Sequence, residues 1–261
     1  MQIDPVVYME WAKTKPKAKI DLTRSGVTDL SFNDLDLETT DLDINGEQPY
    51  GYPPLIEAIA SRYRVNESNV LPTLGASQAV FFTCAALIEP GDDVLVEKGY
   101  TIEPDYFRSL LSPRTKLVIL TNLHNPSGVR LSPRAIKDLA QAAGEEGAMV
   151  LVDEIYLEFI EGHETSFHSA DNMIVASSLT KAYGLGGLRC GWILGPSFLI
   201  EKMRRFMDHD NVEGVFIGAQ ISARVFGRLD SLRAKTAATS EKNLRVLRDF
   251  IRREKKLRWV E

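Results

Sequence analysis

Two rhythms of apolar residues run along the chain. Short apolar runs bounded by turn residues read as strands: Val70 to Leu74, Val94-Leu95-Val96, residues 115–121, residues 148–152, residues 173–176 and residues 190–195. Between them lie stretches with helical spacing. Leu55, Ile56, Ile59 and Tyr63 form one face after Pro53-Pro54, and a strongly apolar helix is predicted over residues 78–88. Further helices are expected from Pro104 to Leu111 and from a Ser132 cap to Ala143. Strand alternating with helix predicts a doubly wound α/β sheet, with Val94–Val96 as one of its buried strands. From Pro196 on the pattern is helical. Phe198, Ile200, Met203, Phe206 and Met207 begin it, and residues 215–226 are apolar enough for a buried helix. Residues 232–256 read as a charged amphipathic helix with Leu244, Leu247, Phe250 and Ile251 on its face.

Residues 1–45 lack this order. Pro5 to Trp11 reads as a short helical or extended arm, Lys13 to Lys19 as a basic loop, and residues 29–45 as acidic with little periodicity. The region is expected to wrap the molecule with little core of its own. Tyr8 and Trp11 would suit packing against a partner subunit.

Composition narrows the class. The 261 residues are 44% hydrophobic and 26% charged, as in ordinary globular chains, and the length suits one large domain plus part of another. A net charge of −5 with mixed signs argues against nucleic acid or an anionic membrane as the main partner. Cys84 and Cys190 sit in apolar contexts and read as small core residues of a reducing compartment. No apolar run approaches the ~20 residues of a membrane span, and no signal-peptide pattern opens the chain, so the cytoplasm is the expected location. His163, His168 and His209 show no ligand spacing, and no metal site is expected.

The candidate chemistry falls at strand ends. Asn125 follows the run 115–121, Asp153 and Tyr156 follow 148–152, and Lys181 follows 173–176. In open α/β sheets ligands bind beyond the strand C-termini, so these four residues share one edge. Lys181 lies between two apolar runs that can fix its backbone, as a lysine that forms an imine with a cofactor aldehyde requires. Arg189, eight residues on, could hold a phosphate through its planar fork. Gly75-Ala76-Ser77 ahead of an apolar helix makes either an anion site of free N–H groups or a plain helix cap at Ser77.

In this order the motifs resemble the class I/II, fold-type I aminotransferases that use pyridoxal phosphate. The resemblance rests on Asn125-Pro126-Ser127-Gly128, Val152 to Tyr156 and Ser178-Leu179-Thr180-Lys181. It extends to Gly51–Ala60, Thr73–Ala79, Pro90–Glu97, Arg114–Gly128 and Ala176–Gly195. It implies a mostly parallel, mixed sheet flanked by helices in residues 46–205, an arm in 1–45, and a partial small domain in 206–261. It implies that Lys181 is the aldimine lysine, that Asp153 pairs with the pyridine nitrogen, and that Tyr156 and Asn125 bond the ring 3′-oxygen. Gly75, Ala76, Ser77, Ser178 and Arg189 would hold the phosphate, and Tyr100 would stack on the ring. Tyr50 or Tyr52 would either reach a neighbouring subunit's phosphate or simply pack.

The implied function is exchange of an amino group between an amino acid and a 2-oxo acid, by a homodimer. A β-lyase, decarboxylase or racemase of the same fold, or a cofactor-binding module with little turnover, remain alternatives. Two departures stand out. The family has a further helix and strand where this chain passes from Gly99-Tyr100 to Ile102-Glu103-Pro104, and it continues past Trp259-Val260-Glu261 to an arginine that grips the substrate α-carboxylate. No residue here matches that arginine. A sheet without the inner unit must close up or expose an edge.

Overall fold

A computed structural model describes residues 4–15, 18–20, 25–35, 37–38, 40–97 and 102–259. Among them six strands form one sheet: β1 (Val70–Thr73), β2 (Asp93–Val96), β3 (Thr115–Thr121), β4 (Met149–Asp153), β5 (Met173–Ser178) and β6 (Gly191–Leu194), in the order β1-β6-β5-β4-β3-β2. Strands β2 to β5 are mutually parallel, and β6 runs antiparallel to both β5 and β1. The central strands are apolar on both faces, as a sheet covered on both sides requires. In β4, for example, Val150, Leu151 and Val152 are all fully buried.

Nine helices occur among the described residues: α1 (Val7–Thr14), α2 (Phe32–Leu35), α3 (Pro53–Tyr63), α4 (Ala76–Leu87), α5 (Pro104–Leu110), α6 (Pro133–Glu145), α7 (Ser197–Asp210), α8 (Phe216–Phe226) and α9 (Leu229–Arg253). One face of the sheet carries α4 and α7, which pack on Leu71, Leu117, Leu151, Ile174 and Ile193. The other carries α3 and α8 around Val70, Val175, Trp192 and Leu194, and α5 and α6 around Val118, Leu120, Val150 and Val152. Ser132 caps α6 as expected, its hydroxyl accepting from Ala135 N at 3.1 Å. The helix α7 runs across residue 205, and α8 shares a core with α3. We therefore propose that any boundary of a second domain lies closer to α9.

The structure corrects four expectations. The strand β2 is not buried: it is the sheet's edge, and Val96 is 64% exposed. Among the described residues the sheet thus shows no internal gap, and no strand pairs with the outer side of β2. Phe198 points outward from α7, whose buried side is Leu199, Ile200, Met203 and Met207. In α9 only Leu229 and Leu232 are buried, while Leu244, Leu247 and Phe250 stay exposed. Finally, residues 30–42 do contribute core: Leu35 is buried, and Leu30, Leu37 and Leu42 pack on the α3–α8 cluster. Acidic neighbours mask these leucines in the sequence. Arg224 of α8 ties the segment down by donating to Glu38 O at 3.0 Å and Asp41 O at 2.9 Å.

Candidate active site

Parallel pairing places Asp153 beside Thr121 and Ala176, so the C-terminal ends of β3, β4 and β5 lie side by side. The expected residues Asn125, Asp153, Tyr156 and Lys181 all leave the sheet at that edge. Lys181 Nζ donates to Ser25 Oγ at 2.9 Å. Asn125 Nδ2 donates to the Tyr156 hydroxyl oxygen at 3.3 Å, and Ser25 also hydrogen-bonds that hydroxyl. Tyr156 itself stacks on Phe159, with ring centroids 6.4 Å apart. Burial raises the Tyr156 pKa, the Ser25 bond opposes this, and the nearby Asp153 and Tyr8 add to the rise.

Asp153 is half-buried and accepts from Ile155 N through Oδ1 at 3.0 Å. Burial pushes its pKa up to about 6; the Ile155 bond and Lys181 pull it down, and Glu97 adds to the rise. The carboxylate is therefore under-solvated. A cationic N–H placed against its second oxygen would offset that penalty.

Further along the same sheet edge, just past β1, Gly75 sits at φ +90° and precedes α4 without any side-chain cap. Ser77 is exposed in the first turn, so the alternative that it caps the helix does not hold. The side chain of Gln78 instead takes Leu74 N at 2.7 Å. Arg189, left-handed at φ 53°, donates from Nη2 to Leu74 O at 2.7 Å and from Nη1 to Gly186 O at 3.2 Å. Two glycines make this approach possible. A Cβ at Gly75 would lie 2.6 Å from Arg189 Nη2, and one at Gly191 would lie 2.6 Å from Gly75 Cα. The result is a hollow that combines a guanidinium with the free N–H groups of a helix start. Ser178 is buried, and its hydroxyl accepts from Thr180 N at 3.2 Å. Tyr100 lies outside the described residues. Tyr50 donates to Asp208 at 3.3 Å, and Tyr52 packs edge-on against Phe216, so both tyrosines find partners within the chain.

Composition and periodicity did not single out Ser25, nor the network beneath the site. Glu158, two residues after Tyr156, is buried. It receives Arg62 Nη2 at 2.8 Å, the Tyr63 hydroxyl at 3.1 Å and the Tyr183 hydroxyl, with His163 Nε2 3.3 Å away. Burial alone would raise its pKa. The His163 hydrogen bond and the Arg62 and His163 charges outweigh burial and hold it at about 2. The signal available was an acid between Leu157 and Phe159, which asks for a partner if that turn is buried.

A mainly parallel sheet with an acid at the end of one strand, a lysine just past the next, and an anion hollow at a helix start defines the fold-type I class of pyridoxal-phosphate enzymes. The residues fit that cofactor at both ends: the glycine-lined Arg189 hollow suits its phosphate, and the under-solvated Asp153 suits its ring nitrogen. The chain belongs to the aminotransferase class I and II family, which it matches over residues 97–254. It is 29% identical to an aspartate aminotransferase of Streptomyces avermitilis over 61% of this chain and 48% of that protein. It is 30% identical to capreomycidine synthase of Streptomyces vinaceus over 74% of this chain and 60% of that protein. The crystal structure of the PLP-dependent cyclase OrfR superposes with a TM-score of 0.89 and 26% identity, over 99% of this chain and 78% of that one. The chain thus spans about half to three fifths of the curated relatives' length. Among the described residues no helix is long and apolar enough to cross a membrane.

Proposed function

We propose that the protein is a pyridoxal-phosphate-dependent aminotransferase acting on an amino acid and a 2-oxo acid. The observation that carries this reading is the convergence of the Lys181 amine, the Asp153 carboxylate and the Asn125–Tyr156 pair at one sheet edge, which also carries the Arg189 hollow past β1. When bound, the cofactor supplies an aldehyde that takes up amino groups and a ring that withdraws electrons from the substrate Cα. Lys181 Nζ would hold the cofactor through its aldehyde carbon and, when free, would carry the proton taken from the substrate Cα to that carbon, two bonds away. Asp153 keeps a proton on the ring nitrogen. Asn125 and Tyr156 hold the ring oxygen, and Gly75, Ala76, Ser77, Ser178 and Arg189 anchor the phosphate. Tyr100 is assigned to ring stacking on the family resemblance alone.

A homodimer in the cytoplasm goes with this reading. The exposed apolar residues of α1, Tyr8, Met9 and Trp11, support a subunit contact, and the unpaired cysteines support a reducing compartment. The test is to load the protein with pyridoxal phosphate, reduce with borohydride and locate the label by mass spectrometry. Label on Lys181, followed by pyridoxamine phosphate formation with an amino donor alone, is the expected result. Label elsewhere or none overturns the site.

The near-complete superposition on a PLP-dependent cyclase, together with the similarity to capreomycidine synthase, supports a second reading. In it the same site closes a ring within one substrate. Product formation without consumption of a 2-oxo acid separates the two.

A further inference from the structure

Ser25 belongs to no strand or helix, yet its hydroxyl sits between the two reactive side chains of the site. The contact is built into the backbone. Val27 N donates to Lys181 O at 3.0 Å, and Leu30 N donates to Gly184 O at 3.0 Å. The first crossing is close for any side chain, and the second needs glycine. A Cβ at Gly26 would lie 3.2 Å from Lys181 Cα and from its carbonyl oxygen, and one at Gly184, itself at φ +65°, would lie 2.3 Å from Thr28 O. Residues 25–30 are thus laid along the Lys181 turn as a strap.

The hydrogen bonds in this group have a fixed polarity. The protonated Lys181 Nζ has no lone pair and can only donate, so Ser25 Oγ accepts from it. The Ser25 hydroxyl hydrogen is then free to point at Tyr156, and that bond acts to stabilise the phenolate form. Asn125 Nδ2 also donates to the same oxygen at 3.3 Å. With two donors aimed at its oxygen, Tyr156 must direct its own O–H away from both.

Resting on the reading of Lys181 as the reactive amine, we propose that Ser25 is a positioning residue that sets the direction of the Lys181 amine and, through the same hydroxyl, the direction of the Tyr156 O–H. With its own hydrogen committed to Tyr156, the Ser25 hydroxyl goes on accepting one amine proton when Lys181 is neutral, which leaves the amine lone pair pointing away from the strap. The charged groups around this line include Lys181, Asp153 and Glu97, with the titratable Tyr156 and Tyr8 beside them. The strap itself is held by backbone bonds, so removing the hydroxyl alone leaves Val27 and Leu30 in place.

The test compares Ser25→Ala and Ser25→Thr with the natural protein in two assays. In the first, the cofactor-free protein is acylated with acetic anhydride across a pH series and the rate at Lys181 is read by mass spectrometry. Loss of the proton acceptor should raise the Ser25→Ala rate about threefold at fixed pH, and Ser25→Thr should restore it. In the second, the pH midpoint of the visible band of the loaded protein should move by about 0.5–1 unit in Ser25→Ala and return in Ser25→Thr. Identical profiles for the natural protein and Ser25→Ala overturn the proposal, as does a threonine variant that behaves like alanine. If the natural protein takes up no pyridoxal phosphate, the functional reading fails, and the acylation rates still decide the role of Ser25.

Discussion

Asp153 and Glu158 are carboxylates five residues apart, leaving the same strand, and they are treated in opposite ways. Glu158 is surrounded by donors from α3, from the turn after β5 and from His163, and it stays ionised down to about pH 2. Asp153 receives one backbone N–H and is pushed up to about 6. The contrast separates two jobs. Glu158 is satisfied by the protein itself and braces the turns that carry Tyr156 and Lys181, each two residues from a member of its network. Asp153 is left incompletely satisfied, which costs stability without a ligand and favours a ligand that brings a positive N–H.

The largest effect should come from breaking the brace. Glu158→Gln keeps the size but removes the buried charge partner of His163 and Arg62, leaving Arg62 only the exposed Asp230 at 3.4 Å, and should destabilise the fold by about 3–5 kcal/mol in urea unfolding. A loss below about 1 kcal/mol would mean that the network is ornamental. Asp153→Asn should act in the opposite sense. It keeps an oxygen for Ile155 N and removes a charge that folding disfavours. The cofactor-free protein should gain about 1–3 kcal/mol at pH 7, while covalent uptake of pyridoxal phosphate weakens.

The pH dependence should follow the same division. Glu158 is held below its ordinary value of 4.5, so its contribution is complete above about pH 4.5 and fades as pH falls toward 2. Asp153 is raised above 3.8, so its effect runs the other way: stability falls as pH rises from about 4 to 6. Urea midpoints across pH should show both limbs, the first absent in Glu158→Gln and the second absent in Asp153→Asn. The smallest effect belongs to the open edge. Val96→Thr in β2 should change stability by less than about 0.5 kcal/mol while reducing self-association on light scattering. A larger loss of stability would mean that this edge is covered after all.

Much of the frame was legible because short apolar runs end abruptly in polar residues. That pattern set the ends of β3, β4 and β5, and with them Asn125, Asp153 and Lys181. Ser25 was not legible, because its partner lies 156 positions away and nothing periodic links an arm to a turn. The β2 edge was misread because a three-residue apolar run looks the same inside a sheet as at its border. The exposed α9 face shows the converse: Leu244, Leu247 and Phe250 keep helical spacing whether or not anything covers them. Glu158 escaped because an acid in a turn is usually solvated, and only tertiary packing brings Arg62, Tyr63 and Tyr183 to it.

The crossing of Gly75 and Gly191 has a consequence for how the protein is made. Among the described residues the strand β1 pairs only with β6, and the hollow beside it needs the backbone of both. During synthesis β1 leaves the ribosome roughly 120 residues ahead of its partner, a wait on the order of 10 s at ~5–20 residues per second. Until β6 emerges, β1 lacks its partner strand, and the Gly75–Gly191 crossing beside it does not exist. Nascent chains arrested before Gly191 should therefore lack the hollow between Gly75 and Arg189, however well the strands in between have already formed.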